Sequence, residues 1–119
     1  DIEILKEFLS SLAKETRRGA DGWHGFLDVE VQLRKHLILI AGNPLFDAVL
    51  TPIHENIFGY AAYYISGEDA NVNEALEDWN QIVNALMRGN TEKSVKCTCE
   101  HIRRYASRMR QEMAKIAET

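Results

Sequence analysis

Cysteine, proline and long hydrophobic runs are all scarce in this sequence, and each shortage excludes a class of protein. Two cysteines, Cys97 and Cys99, occur in 119 residues. They lie too close together for a comfortable disulfide on a helix, so a disulfide-stapled secreted scaffold is excluded and reduced thiols in a cytoplasmic protein are expected. No apolar run approaches the roughly 20 residues needed to cross a bilayer. With only two prolines and seven glycines, long helices are favoured over sheet.

A large excess of charge of one sign is also missing. Fourteen Lys and Arg residues stand against eighteen Asp and Glu residues, a net charge of −4. This balance argues against direct binding of nucleic acid, which is led by neutralisation of phosphates. Length and composition fit one globular domain over residues 1–119. Because the chain starts abruptly at Asp1 within a helix-like pattern, we expect a fragment of a longer protein.

Apolar residues recur at the spacing of an α-helix along the chain. They predict an all-α fold, an antiparallel bundle of five or six helices. The first two helices are expected at residues 2–18 and at about 23–41, with Asp21 as the N-cap of the second.

Three helix-breaking residues interrupt the next apolar stretch and predict a corner between two buried helices. Gly42 would be the left-handed residue that ends the second helix, Asn43 the N-cap of the third, and Pro44 its first helical residue. Pro52 should kink or split this third helix.

The last two helices have their own start and stop signals. Asn71, with Glu74 three residues later, resembles a capping box that opens the fourth helix. Gly89 closes that helix, and Asn90 or Thr91 opens the last one. The apolar residues of the last helix predicted to share one face are Val95, Cys99, Ile102, Tyr105, Ala106, Met109, Met113 and Ile116.

Two opposite charges fall in the middle of the apolar face of the second helix. Glu30 and Arg34 are one turn apart and can pair, but burying them is costly unless the pairing is excellent. Two interpretations stay open. The residues form an internal salt bridge in a partly covered face, or they line a cavity in which Arg34 binds a carboxylate or phosphate and Glu30 holds the guanidinium.

The remaining candidate residues have ordinary structural interpretations. Trp79 lies at the centre of the fourth apolar face and is expected in the core. His101 flanks the last apolar face, where a structural hydrogen bond is the commoner role. Cys97, Cys99 and His101 have metal-like spacing, but Cys99 would point away from the other two on a helix. Because we find no Gly-rich phosphate loop, no Ser/His/Asp arrangement and no inward pair of carboxylates, we expect neither an enzyme nor a cofactor.

Three stretches occur in an order and spacing shared with a known family. They are A-G-N-P-L-F at 41–46, W-N-Q-I-V-N-A-L-M-R-G-N at 79–90, and His101, twelve residues after Gly89. Over about residues 1–113, the chain resembles the FCD domain, the ligand-sensing C-terminal domain of GntR-type transcriptional regulators of the FadR subfamily. The resemblance implies a dimerising helical bundle around a small-molecule cavity, preceded by a winged helix-turn-helix that binds DNA.

The same resemblance bears on metal binding, because many family members hold a divalent metal in the cavity. Glu30 and Arg34 occupy the positions of a metal-binding Asp and His, Trp79 occupies that of a second His, and only His101 is unchanged. A metal held by one carboxylate and one imidazole beside an arginine would be underliganded and repelled. The chain therefore resembles the metal-free branch of the family, which includes a sensor of fatty-acyl-CoA.

The resemblance implies that Arg34 replaces the metal as the fixed positive centre and binds the acidic group of an effector. The expected effector-binding residues are Glu30, Arg34, Tyr60, Tyr64, Trp79 and His101. The expected partners are a small organic acid or acyl derivative and a second copy of the chain, with DNA bound only through the upstream domain. Two alternatives stay open: a helical dimerisation or partner-binding scaffold without a small-molecule site, and a metalloprotein using His101, Cys97 and Glu30.

Overall fold

The computed structural model describes residues 2–42, 48 and 69–118, which are helical apart from short turns. Its helices are α1 (Ile2–Arg17), α2 (Trp23–Ala41), α3 (Asp69–Met87) and α4 (Thr91–Ala117). The described part contains no strand, so the all-α class is confirmed. The third helix expected from the sequence, with Pro52 at its kink, lies outside the described residues. The count of five or six helices therefore stays a prediction.

The start of α2 differs from the sequence prediction although the bounds of the helix agree. Asp21, the expected N-cap, lies inside a 3₁₀ turn, Gly19–Gly22, that leads directly into the helix. Gly22 takes the cap position with φ −87° and ψ −3° and makes no side-chain cap hydrogen bond. The prediction of Asp21 as the cap is wrong, because the backbone is already helical at Gly22 and leaves no extended cap residue.

The end of α2 is the one that the sequence predicts. Gly42 has φ 68° and ψ 21°, and its N–H donates to the carbonyl of Leu39 at 3.1 Å. This left-handed conformation favours glycine, because a side chain there would clash with the backbone. Asn43 and Pro44, the other two residues of the predicted corner, lie outside the described residues.

The capping box predicted for α3 is wrong. The helix begins at Asp69, two residues before the expected cap Asn71, so Asn71 lies within it. Glu74 does not fold back on the helix start. It pairs with α4, where Arg104 Nε lies 3.3 Å from its Oε1 and Arg108 donates to its Oε2.

The core forms where α1 packs on α2 and α3. Its buried apolar residues are Leu5, Leu12, Phe26, Leu27, Leu33, Val72, Ala75, Trp79, Ile82, Val83 and Cys97. Most lie at the predicted helical spacing, which is why one face of each of these helices is covered. None of the described helices combines the length and the apolar character needed to span a membrane.

The apolar face predicted for α4 is only partly covered. Tyr105 packs against the core, whereas Val95, Cys99, Ile102 and Ala106 are exposed; the side chains of Met109, Met113 and Ile116 lie outside those described. Val95 and Ile102 are 56% and 57% exposed. The helix packs on α3 instead through the face that carries Ser94, Cys97 and His101, each less than 7% exposed. Polar partners on the other helices decide this orientation, as described next.

Candidate functional site

Residues from three helices meet in one buried polar cluster. Glu30 and Arg34 come from α2, Trp79 from α3 and His101 from α4. Glu30, Trp79 and His101 are 0%, 2% and 1% exposed, and the Arg34 side chain is 16% exposed. The structure therefore brings together four of the six residues predicted to bind an effector.

The carboxylate of Glu30 is the centre of this cluster. Trp79 Nε1–H donates to its Oε2 at 2.8 Å, and the hydroxyl of Tyr105 lies 3.0 and 3.1 Å from its two oxygens. Arg34 Nη2 lies 3.7 Å from Oε1. Burial, together with the charge on Glu30, raises the pKa of Tyr105 well above that of a free phenol, so its hydroxyl remains a donor. These contacts replace the hydration that a buried carboxylate loses.

The guanidinium of Arg34 lies against aromatic rings as well as beside the carboxylate. Its Cζ is 5.4 Å from the ring centroid of Trp79 and 5.8 Å from that of Tyr105, distances at which a cation is attracted to a ring face. Its Nη2 is also 3.0 Å from Nε2 of His101. Since a guanidinium nitrogen can only donate, Nε2 accepts this hydrogen bond.

His101 is held in its neutral form with the proton on Nδ1. Nδ1 lies 2.9 Å from Oδ2 of Asp78, which accepts from it, while Nε2 accepts from Arg34. Burial lowers the pKa of the imidazole below its usual 6.5, and Arg34 lowers it as well, although the carboxylates of Glu30 and Asp78 offset part of this. The imidazole is therefore neutral at neutral pH, with its Nε2 lone pair facing the cluster.

Asp78 is a second buried carboxylate and connects the cluster to the surface. It is 6% exposed and accepts from His101 and from Arg104, whose Nε lies 3.1 Å from Oδ2 and whose Nη2 contacts Oδ1. The expectation of no inward pair of carboxylates is wrong, because Glu30 and Asp78 lie on opposite sides of the imidazole. Neither Asp78 nor Arg104 was predicted to belong to a site.

The charges of the described cluster cancel. The carboxylate of Glu30 is balanced by Arg34, that of Asp78 is balanced by Arg104, and His101 is neutral. An anion that binds in this cluster would therefore have to replace present partners of Arg34. One additional positive charge would also be needed to keep the cluster neutral. Uncompensated charge at such depth is strongly disfavoured.

Comparison with family models identifies the domain to which this cluster belongs. The model of the FCD domain matches residues 1–104. The chain belongs to the FCD domain family. This domain is the ligand-sensing C-terminal domain of GntR-family transcriptional regulators, so the resemblance is confirmed at that level. Comparison with curated proteins and with solved structures finds no match.

The cluster of this FCD domain does not fit a divalent metal such as many family members hold in the cavity. Nε2 of His101, the atom that faces the cluster, already accepts from a guanidinium 3.0 Å away. In the part of the chain that the structure describes, no three His, Cys, Asp or Glu side chains are placed to hold a metal ion. A second cation beside Arg34 would be repelled.

Sequence reasoning missed Tyr105 and Asp78 as members of the site. Tyr105 lies one helical turn after His101, so spacing places both near one face of α4, but the apolar pattern marks Tyr105 only as a core residue. Asp78 has no comparable signal, because its partner is 23 residues away along the chain. Tyr60 and Tyr64, the remaining predicted site residues, lie outside the described residues.

We expect His101 to make the folding of this FCD domain sensitive to acid. Its pKa is lowered in the folded state, so the unfolded chain takes up a proton near pH 6.5 that the folded imidazole resists. The stability contributed by neutral His101 is fully present above this pH and is lost as the pH falls from there toward the folded pKa. The slope from this one group is at most about 1.4 kcal/mol per pH unit.

Urea unfolding of wild type, His101→Gln and His24→Gln, at several values between about pH 8 and pH 5.5, measures this slope. His24 is exposed on α2, so its variant should keep the wild-type pH dependence, whereas His101→Gln should lose part of it. An unchanged slope in His101→Gln would contradict the assignment.

Proposed function

We propose that this FCD domain binds a small organic acid or acyl derivative beside Arg34 and thereby controls DNA binding by a winged helix-turn-helix in the same regulator. The observation that supports this most strongly is the convergence of Glu30, Arg34, Trp79 and His101 in the interior. A bundle gains little net stability from a buried ionic cluster. Such a cluster is a common feature of functional sites.

The chemistry of the cluster suits an acid with an apolar body. The planar guanidinium of Arg34 can bind a carboxylate through two parallel hydrogen bonds. The rings of Trp79 and Tyr105 beside it would pack against carbon atoms, and His101 would provide a second polar contact. The proposed effector-binding residues are Glu30, Arg34, Tyr60, Tyr64, Trp79 and His101.

The same contacts suggest how binding is transmitted. Arg34 on α2 contacts His101 on α4, and His101 in turn contacts Asp78 on α3. An effector that takes over the donors of Arg34 changes the contact between α2 and α4, and it shifts the bundle toward the arrangement that binds it better. We place this bundle in a cytoplasmic homodimer of the FadR subfamily, in which such a shift would move the DNA-binding domains.

A scaffold without a small-molecule site is the second candidate, and one observation favours it. The polar groups of the described cluster pair with one another, and their charges cancel without a ligand. In that case Glu30 and Arg34 form a structural ion pair, and the domain serves dimerisation or partner binding alone.

Arg34→Met should weaken binding of an acidic effector at least about tenfold, because a hydrogen bond to a charged group contributes roughly 1.5–3 kcal/mol. Native mass spectrometry of the purified protein reports subunit number, metal and any retained organic molecule, whose mass identifies the ligand for titration. Arg88→Met is the matched control, since it removes the same charge from an exposed position after α3.

Arg34→Lys keeps the positive charge but not the planar guanidinium, so it tests the two separately. It also provides a folded variant if Arg34→Met does not fold. It should fold and bind more weakly than wild type, because an ammonium cannot form the two-point contact. Equal affinity of wild type and Arg34→Met would overturn the proposed function. A folded dimer that takes up no organic acid would favour the scaffold.

A further inference from the structure

The imidazole of His101 lies between two carboxylates and beside one guanidinium. Asp78 Oδ2 is 2.9 Å from Nδ1, Glu30 Oε2 is 3.9 Å from Nε2, and Arg34 Nη2 is 3.0 Å from Nε2. The two acids would stabilise an imidazolium, whereas the guanidinium opposes it. Burial opposes protonation most strongly and the charge of Arg34 adds to it. Neutralising Arg34 therefore makes the imidazole easier to protonate.

The other described groups that face the imidazole do not change this balance. From α3, the Trp79 ring lies 5.0 Å away between centroids, and from α4 the Tyr105 ring lies 4.9 Å away. Both are uncharged, Tyr105 because its pKa is raised. Arg104 acts on His101 through Asp78, whose charge it partly neutralises.

We propose that an acidic effector binds at Arg34 together with one proton, which Nε2 of His101 takes up from the solvent. This inference rests on the proposed function and names the regulation of the same site. The effector brings one negative charge and the proton one positive charge, so the cluster stays neutral. No bond other than the new N–H is formed.

The geometry couples the two events, because the effector and Nε2 of His101 share the Nη2 donor of Arg34. A carboxylate that pairs with the guanidinium of Arg34 competes with Nε2 for the Nη2 donor. Nε2 then loses its hydrogen bond, and the positive charge that opposed protonation is neutralised by the effector. The protonated Nε2 becomes a donor that can pair with Glu30 or with the effector itself.

The consequence is that acid strengthens effector binding. When one proton is taken up with the ligand, affinity rises by up to about tenfold for each unit by which the pH falls. This holds between the pKa of His101 in the free domain and its higher pKa in the complex. Sensing of the effector is then coupled to the pH around the regulator.

Nuclear magnetic resonance of ¹⁵N-histidine-labelled protein tests the electrostatic basis without a ligand. In Arg34→Met the imidazole keeps both carboxylates and loses the guanidinium, so its titration midpoint should rise by about one pH unit or more. Arg88→Met should leave the midpoint of His101 unchanged. An unchanged midpoint in Arg34→Met would overturn the inference.

Titration calorimetry with acetate, benzoate and octanoate as probes tests the coupling itself. Near neutral pH, in imidazole and in Tris, two buffers without an anion that resembles the probes, the difference in binding enthalpy gives the number of protons taken up. We expect an uptake approaching one proton in wild type and almost none in His101→Gln, which keeps Arg34 and should bind more weakly than wild type. Saturable binding with no proton uptake overturns the inference and leaves the proposed function in place. No saturable binding of any probe overturns the acid-binding function, and the inference falls with it.

Discussion

Glu30→Ala should lower the free energy of unfolding by about 3–5 kcal/mol, the usual effect of removing one partner of a buried ion pair. The carboxylate is fully buried and receives hydrogen bonds from Trp79 and Tyr105 as well as the charge of Arg34. Its loss removes the acceptor of the Trp79 N–H and of the Tyr105 hydroxyl, together with the carboxylate that balances the charge of Arg34. Urea unfolding followed by circular dichroism measures the change.

Glu77→Ala is the matched control for this variant. Glu77 is an exposed carboxylate on α3 that accepts one hydrogen bond, from Gln81 at 3.3 Å. Its removal should change stability by no more than about 0.5 kcal/mol. Equal effects of Glu30→Ala and Glu77→Ala would contradict the assignment of Glu30 as the buried centre of the cluster.

The double variant Glu30→Leu/Arg34→Leu tests whether the ion pair contributes to stability or to ligand binding. Replacing both members of a buried ion pair by apolar residues is often neutral or stabilising. We expect the double variant to be more stable than Glu30→Ala and to bind no acid. A stable double variant without binding would mean that Glu30 and Arg34 serve the ligand rather than the fold.

Substitutions of Trp79 should give the second large loss of stability. The effect of the lost ring can be separated from that of the lost hydrogen bond. Trp79→Ala opens a cavity at a position that is 2% exposed, and such truncations of buried aromatics typically cost about 3–5 kcal/mol. Trp79→Phe keeps most of the ring but removes the N–H that lies 2.8 Å from Glu30. Because the acceptor is charged, this loss should cost about 1.5–3 kcal/mol.

Tyr105→Phe is the comparison for the hydrogen-bond effect measured with Trp79→Phe. It removes the other neutral donor to Glu30, at 3.0 and 3.1 Å. In the double variant Trp79→Phe/Tyr105→Phe, the carboxylate keeps only Arg34 among the partners described. The loss of stability should therefore exceed the sum of the two single losses. A Trp79→Phe protein as stable as wild type would contradict the role of the indole N–H.

Some features of this protein are determined by the sequence alone, because their causes lie within a few residues. Helical spacing predicts α2 at its observed bounds, and Gly42 predicts its left-handed end. The same spacing singles out Glu30 and Arg34 as charges within an apolar face. Motifs at fixed spacing also identify the FCD family.

The buried face of α4 and the membership of the cluster are decided only by the tertiary structure. The apolar pattern of α4 predicts that Ile102 is buried, yet His101 is buried instead and Ile102 is exposed. The hydrogen bonds that favour this orientation join His101 to Arg34 and Tyr105 to Glu30, which are 67 and 75 residues apart in the chain. A polar side chain can be buried where it finds its partners, and a partner so distant leaves no periodic signal in the sequence. For this reason the pattern along the chain could locate the described helices, while the packing of α2, α3 and α4 selected the residues that form the cluster.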